Sequence, residues 1–122
     1  MHAEDLLAVV ETARADAEAR LSAVTAGDSL CAIGRRDAAG PPSVKEIEGE
    51  VAALSELRRR LRRAGGAADP AAVLDAVVAD WRSRQRSHTE RDFGPGWLAY
   101  DRGGIAALER LRARGGGGDG EA

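Results

Sequence analysis

Three stretches of this chain repeat apolar residues at alternating spacings of three and four, and this feature most restricts what it can fold into. The stretches cover residues 3–26, 44–64 and 70–90. Such spacing lines up apolar side chains on one face of an α-helix, whereas a half-buried strand would alternate every second residue. No stretch shows that alternation. The sequence therefore predicts an all-α protein with three longer amphipathic helices.

The ends of these stretches carry helix-boundary signals. Ser43 and Glu46 match a capping box, which predicts that the second helix begins at Ser43. The glycine pair 65–66 predicts its end. Asp69 followed by Pro70 is typical of a helix start, with the aspartate as N-cap and proline in the first helical position.

The remaining segments are rich in glycine. Residues 27–42 and 92–104 are predicted as loops, the second with room for one helical turn at 96–101. Apolar residues then recur with helical spacing and predict a short fourth helix at about 104–114. The segment 115–122 is predicted to be a disordered Gly-rich tail, which leaves 1–114 as a single helical domain.

Aromatic residues are scarce, with only four among 122 residues. The core must therefore be built mainly from alanine, leucine, valine and isoleucine, which suits closely packed helices in a small up-and-down bundle. The apolar faces are narrow and rich in alanine. We therefore expect that a homodimer through the first helix covers additional apolar surface.

Composition also narrows the class of protein. Cys31 is the only cysteine, so neither an intramolecular disulfide nor a cysteine-rich zinc site is expected, and the chain is predicted to be cytoplasmic. No apolar run approaches the roughly 20 residues of a membrane span, and the residues after Met1 are acidic, so neither a membrane span nor an export signal is expected. A single lysine among abundant arginine, alanine and glycine is typical of a GC-rich genome, so arginine content alone does not indicate function.

One candidate site is a row of charged residues on the third helix. Asp80, Arg84 and His88 follow each other at spacings of four, and Asp92 continues the row. A carboxylate beside His88 would fix its tautomer and make it a candidate general base. Cys31 is a candidate nucleophile. The alternatives are a salt-bridged surface for the row and a small buried side chain for the cysteine.

A second candidate is the segment that holds most of the aromatic residues, namely Phe93, Trp97 and Tyr100. Aromatic side chains in a glycine-rich connection are typical of a ligand pocket or a protein-binding hot spot. They would also serve to plug the open end of a helical bundle. Cys31, Arg35 and Arg36 in the other loop could join Trp97 and Tyr100 in a pocket between 27–42 and 92–104.

A third candidate is an arginine run at the end of the second helix, formed by Arg58, Arg59, Arg60, Arg62 and Arg63. Such a run can contact phosphates of a nucleic acid. It is more typical of a solvated helix C-terminus, where positive charge is favourable. The net charge of −2 gives no attraction of the whole molecule to nucleic acid, which makes that partner the less favoured one.

No motif for phosphate binding, zinc proteolysis or serine hydrolysis is present, and no cofactor or metal site is predicted. The preferred interpretation is therefore a small helical interaction module, an accessory or regulatory protein that binds a partner protein. One alternative is a small-molecule binder or cofactor-free enzyme that uses the pocket between the two loops. The other is a nucleic-acid-binding regulator that uses the arginine run.

Overall fold

The computed structural model describes residues 2–26 and 42–121, which form four helices. They are α1 (Ala3–Ala26), α2 (Pro42–Ala64), α3 (Pro70–Glu90) and α4 (Pro95–Glu121). No strand occurs in these ranges, so the all-α prediction is confirmed. Cys31, Arg35 and Arg36 lie outside the described residues, together with most of the predicted 27–42 loop.

Helix α2 lies at the centre of the bundle and packs against each of the other three helices. The ion pairs between helices show in which direction each helix runs. Arg20 near the end of α1 binds Glu50 in the first half of α2, and Glu11 binds Arg58 in the second half, so α1 and α2 are antiparallel. Helix α1 packs chiefly on α2, whereas α3 and α4 pack on α2 and on each other.

Helices α2 and α4 run in the same direction and form the largest helix–helix contact. Glu46 pairs with Arg102, and one turn later on α2 Glu50 pairs with Arg110. Asp80 and Arg84 of α3 pair with Arg60 and Glu56 of α2, so these two helices are antiparallel. The order of directions is therefore up, down, up, down, as expected for the predicted bundle. The neighbours differ from those of a square bundle, because α2 and α4 form the largest helix–helix contact while α1 packs chiefly on α2.

The core is made almost entirely of leucine, valine and alanine from all four helices, together with the fully buried Trp81. Burial of each leucine or valine contributes roughly 1.5–3 kcal/mol relative to exposure. The apolar face of α2 is covered along most of its length. That of α1 is buried only as far as Ala17, and Val24 near its end is 40% exposed.

Glycines allow α2 and α4 to approach each other closely. A Cβ atom on Gly103 would overlap the backbone of Glu46, and a Cβ atom on Gly49 would overlap the carbonyl group of Tyr100. Gly104 faces the ring of Trp81 in the same way. These glycines are therefore needed where two helix backbones meet, and not to form a turn.

The fourth helix differs from its prediction. It begins at Pro95 and ends at Glu121, 27 residues in all, instead of covering 104–114. Most of the predicted 92–104 connection is therefore its first turns, and the helix continues through the segment assigned to a disordered tail. Proline suits the first helical position, and packing offsets the roughly 1 kcal/mol helix-propensity cost at Gly103 and Gly104. Helix α2 also begins one residue before the predicted Ser43.

Candidate functional site

The turn between α3 and α4 sets the position of the exposed aromatic side chains. Its backbone forms a Schellman motif: the N–H of Phe93 donates to the carbonyl of His88 at 3.0 Å, and the N–H of Asp92 donates to the carbonyl of Thr89 at 3.2 Å. Asp92 has a left-handed conformation with φ of 54°. The rings of Phe93 and His88 stack with centroids 4.9 Å apart, as the apolar contact that often accompanies this motif.

All four aromatic residues of the chain join His88 in one continuous cluster. Trp97 lies 5.4 Å from the His88 ring and makes an edge contact with Tyr100 at 5.7 Å. Tyr100 in turn stacks on the buried Trp81 at 5.6 Å. The cluster therefore extends from the surface at Phe93 to the core at Trp81.

The outer members of the cluster remain exposed. Phe93 is 46% exposed and Trp97 is 51% exposed, although both contact the same His88 ring. We call Phe93, Trp97 and His88 the aromatic patch. Tyr100 lies deeper, and burial raises the pKa of its hydroxyl above the ordinary value.

The carboxylate that holds His88 is Asp101, which spacing along α3 did not identify. Its Oδ2 lies 2.5 Å from Nδ1 of His88, and its side chain is only 1% exposed. Within the described part of the chain, Nε2 of His88 has no hydrogen-bond partner. A carboxylate at Nδ1 favours the tautomer that leaves Nε2 as an acceptor, the arrangement required of a general base.

Two members of the charged row predicted on α3, Asp80 and Arg84, contact α2 and not His88. Asp80 accepts from Arg60 at 2.5 Å, and Arg84 donates to Glu56 at 2.7 Å. Arg84 also lies over the ring of Trp81, 4.9 Å from its centroid. The row therefore binds α3 to α2 instead of orienting His88.

The arginine run is largely engaged in ion pairs. Arg58 contacts Glu11, and Arg62 lies 3.7 Å from the same carboxylate. Arg60 bridges Glu56 and Asp80 at 2.8 and 2.5 Å. A nucleic-acid role for the run stays a prediction, which a steep salt dependence of binding to duplex DNA would test.

The predicted pocket between two loops also stays a prediction. Its residues Cys31, Arg35 and Arg36 fall outside the described ranges, while Trp97 and Tyr100 lie on a helix. Among the described residues, no three histidine, cysteine, aspartate or glutamate side chains are grouped to hold a metal ion. In residues 2–26 and 42–121, no helix has both the length and the apolar character to cross a membrane.

No protein-family model matches the chain, and no curated protein or solved structure matches it significantly. The geometry of the aromatic patch is therefore the basis for a functional interpretation.

Proposed function

We propose that this chain is a helical interaction module that binds a partner protein through the aromatic patch. The observation that carries this proposal is the exposure of Phe93 and Trp97, at 46% and 51%, in a chain that has only four aromatic residues. A core short of large side chains would gain from burying both rings. Their position at the surface instead suits a contact with another protein.

The patch is also held in place before any partner binds. The Schellman motif fixes the backbone of Phe93, the buried Asp101 holds His88, and the first turn of α4 carries Trp97. Rigid aromatic anchors lose little conformational freedom on association, which is why tryptophan dominates many interface hot spots. The bundle thus serves as the scaffold for a small preformed surface.

The test compares the proteins captured from native lysate by the wild-type chain and by Trp97→Ala, using quantitative mass spectrometry. We expect a specific partner that the wild type retains and Trp97→Ala loses, with affinity reduced about 30-fold, as for a hot-spot tryptophan. Val24→Ala is the matched control, because Val24 is also an exposed large apolar residue and lies at the far end of α1.

The unfolding midpoints of the wild type and of Trp97→Ala must be measured alongside this comparison. Since Trp97 is half exposed, its removal should shift the unfolding midpoint only slightly. If wild type and Trp97→Ala capture the same proteins equally well, the aromatic patch is not the binding surface. If Trp97→Ala unfolds the chain, the residue belongs to the core and the proposal fails.

A second candidate function, acid–base chemistry on a small molecule, is favoured by the His88–Asp101 pair. Cleavage of p-nitrophenyl acetate is a suitable probe, because an imidazole that removes a proton from water allows it to attack the ester, which releases acetate and coloured nitrophenolate. The chain has two histidines, so His2→Gln is the matched control for His88→Gln. Loss of rate confined to His88→Gln would support this candidate, and equal rates in both variants would contradict it.

A further inference from the structure

A groove lies between α1 and α4, where these two helices are both in contact with α2 but not packed on each other. Its volume is about 590 Å³, and sites for small organic ligands typically enclose roughly 300–1,000 Å³. Leu54 and Leu111 form its apolar floor. The small side chains of Ala13 and Ala107 leave the space open on either side.

Charged side chains from the two walls converge at one point of this groove. Glu50 on α2, only 8% exposed, accepts hydrogen bonds from Arg20 on α1 at 2.8 and 3.1 Å. The same carboxylate accepts from Arg110 on α4 at 2.8 Å. One buried carboxylate thus positions two guanidinium groups before a ligand arrives, which lowers the cost of ordering them on binding.

The groove carries an excess of positive charge. Arg114 lies one turn after Arg110 on α4 and also lines the groove, and it makes no ion pair with any residue whose side chain the structure describes, at 2–25 and 44–115. Three arginines, Arg20, Arg110 and Arg114, thus face two carboxylates, Glu50 and Asp16, so the lining has a net charge of +1. An anion would complete the charge balance.

We propose that the α1–α4 groove binds a small organic anion with an apolar body. Its acidic group contacts Arg110 and Arg114, which are one helical turn apart and can donate to the same group. Its apolar body covers Leu54 and Leu111. Arg20 and Arg110 meet at Glu50 in a groove with an apolar floor, which matches a molecule with one acidic end. This site is separate from the aromatic patch and does not depend on the proposed interaction function.

The test uses two fluorescent dyes that share an aromatic skeleton. 8-Anilinonaphthalene-1-sulfonate carries an anionic sulfonate, and N-phenyl-1-naphthylamine is its neutral counterpart. We expect the sulfonate to bind about tenfold more tightly, because hydrogen bonds to an ionised group are the stronger ones. Amide resonances of Ala107 and Leu111 should shift on titration with the sulfonate. Equal affinities for the two dyes would overturn the proposal.

Variants show whether the groove is the site. Arg114→Gln should weaken sulfonate binding about tenfold while the fold is retained, since the Arg114 side chain is exposed to solvent. Arg86→Gln removes the same charge from an exposed position on α3, a helix that does not line the groove, and should leave binding unchanged. If instead Trp97→Ala abolishes binding and Arg114→Gln does not, the dye occupies the aromatic patch and the groove proposal is overturned.

Discussion

Replacing Gly103 with alanine is expected to destabilise the protein by about 2 kcal/mol, although alanine is the better helix former. In an isolated helix the substitution would stabilise by about 1 kcal/mol. In this fold the new methyl group would overlap the backbone of Glu46 on α2. A backbone atom cannot rotate away as a side chain can, so α2 and α4 must separate.

Separation of α2 and α4 disturbs the largest helix–helix contact of the molecule. Overpacking of a well-filled core typically costs 1–3 kcal/mol, and we take about 3 kcal/mol because the obstacle is backbone. After the gain of about 1 kcal/mol in helix propensity, the net loss is about 2 kcal/mol. For a chain of this length, that corresponds to a fall in Tm of roughly 8 °C.

Urea denaturation followed by circular dichroism measures this loss directly. Gly115→Ala is the matched control, because Gly115 lies in the same helix and a Cβ atom there would meet nothing within 4 Å. It should be neutral or stabilising by up to about 1 kcal/mol. If Gly103→Ala proves as stable as Gly115→Ala, then α2 and α4 do not approach each other as described.

Three further predictions follow from the same structure. Asp101→Ala should lower the free energy of unfolding by about 2 kcal/mol, because a buried hydrogen bond to His88 is lost. Urea denaturation measures this change. A loss below about 0.5 kcal/mol would contradict a role for Asp101 in joining α3 to α4. Absorbance at 295 nm reports Tyr100 alone, because it is the only tyrosine, and burial should place its pKa above the ordinary 10.0 in the folded chain. Because the pKa is higher in the folded state, the free energy of unfolding is insensitive to this group below pH 10.0 and falls as the pH rises through the folded pKa; a folded midpoint at or below 10.0 would contradict the burial. Light scattering should give twice the 12.8 kDa mass if α1 forms a homodimer, as its incompletely covered apolar face suggests, and a monomer at high concentration would exclude that dimer.

The first three helices could be located from sequence because two independent signals coincide in them. The apolar period stops where glycine or proline begins, as at Gly65 and Pro70. The fourth helix was predicted too short because Gly103 and Gly104 look like helix breakers. Gly103 is required by the backbone of Glu46 on α2 and Gly104 chiefly by the ring of Trp81 on α3, and both partners are distant in the sequence. Gly49, an isolated glycine inside a strongly periodic helix, was the one local sign of a close helix crossing.

The candidate site was predictable in part. The clustering of Phe93, Trp97 and Tyr100 in sequence pointed to this region. The partner of His88 did not follow from spacing, because Asp101 comes from the next helix and reaches His88 only after the chain reverses at Asp92. Aspartate is a less common residue than glycine in the left-handed position of such a turn, so the reversal carried only a weak sequence signal.

The attachment of α1 has a consequence for local unfolding. Helices α2, α3 and α4 share contacts among themselves, whereas α1 packs chiefly on α2. The free energy needed to detach α1 from the bundle is therefore smaller than that of global unfolding. The backbone amides of α1 should exchange their hydrogens first. Because α1 also forms one wall of the groove, the released state cannot bind there. The fraction of molecules with α1 docked therefore sets the apparent affinity of any groove ligand, and such a ligand would slow exchange along the whole helix.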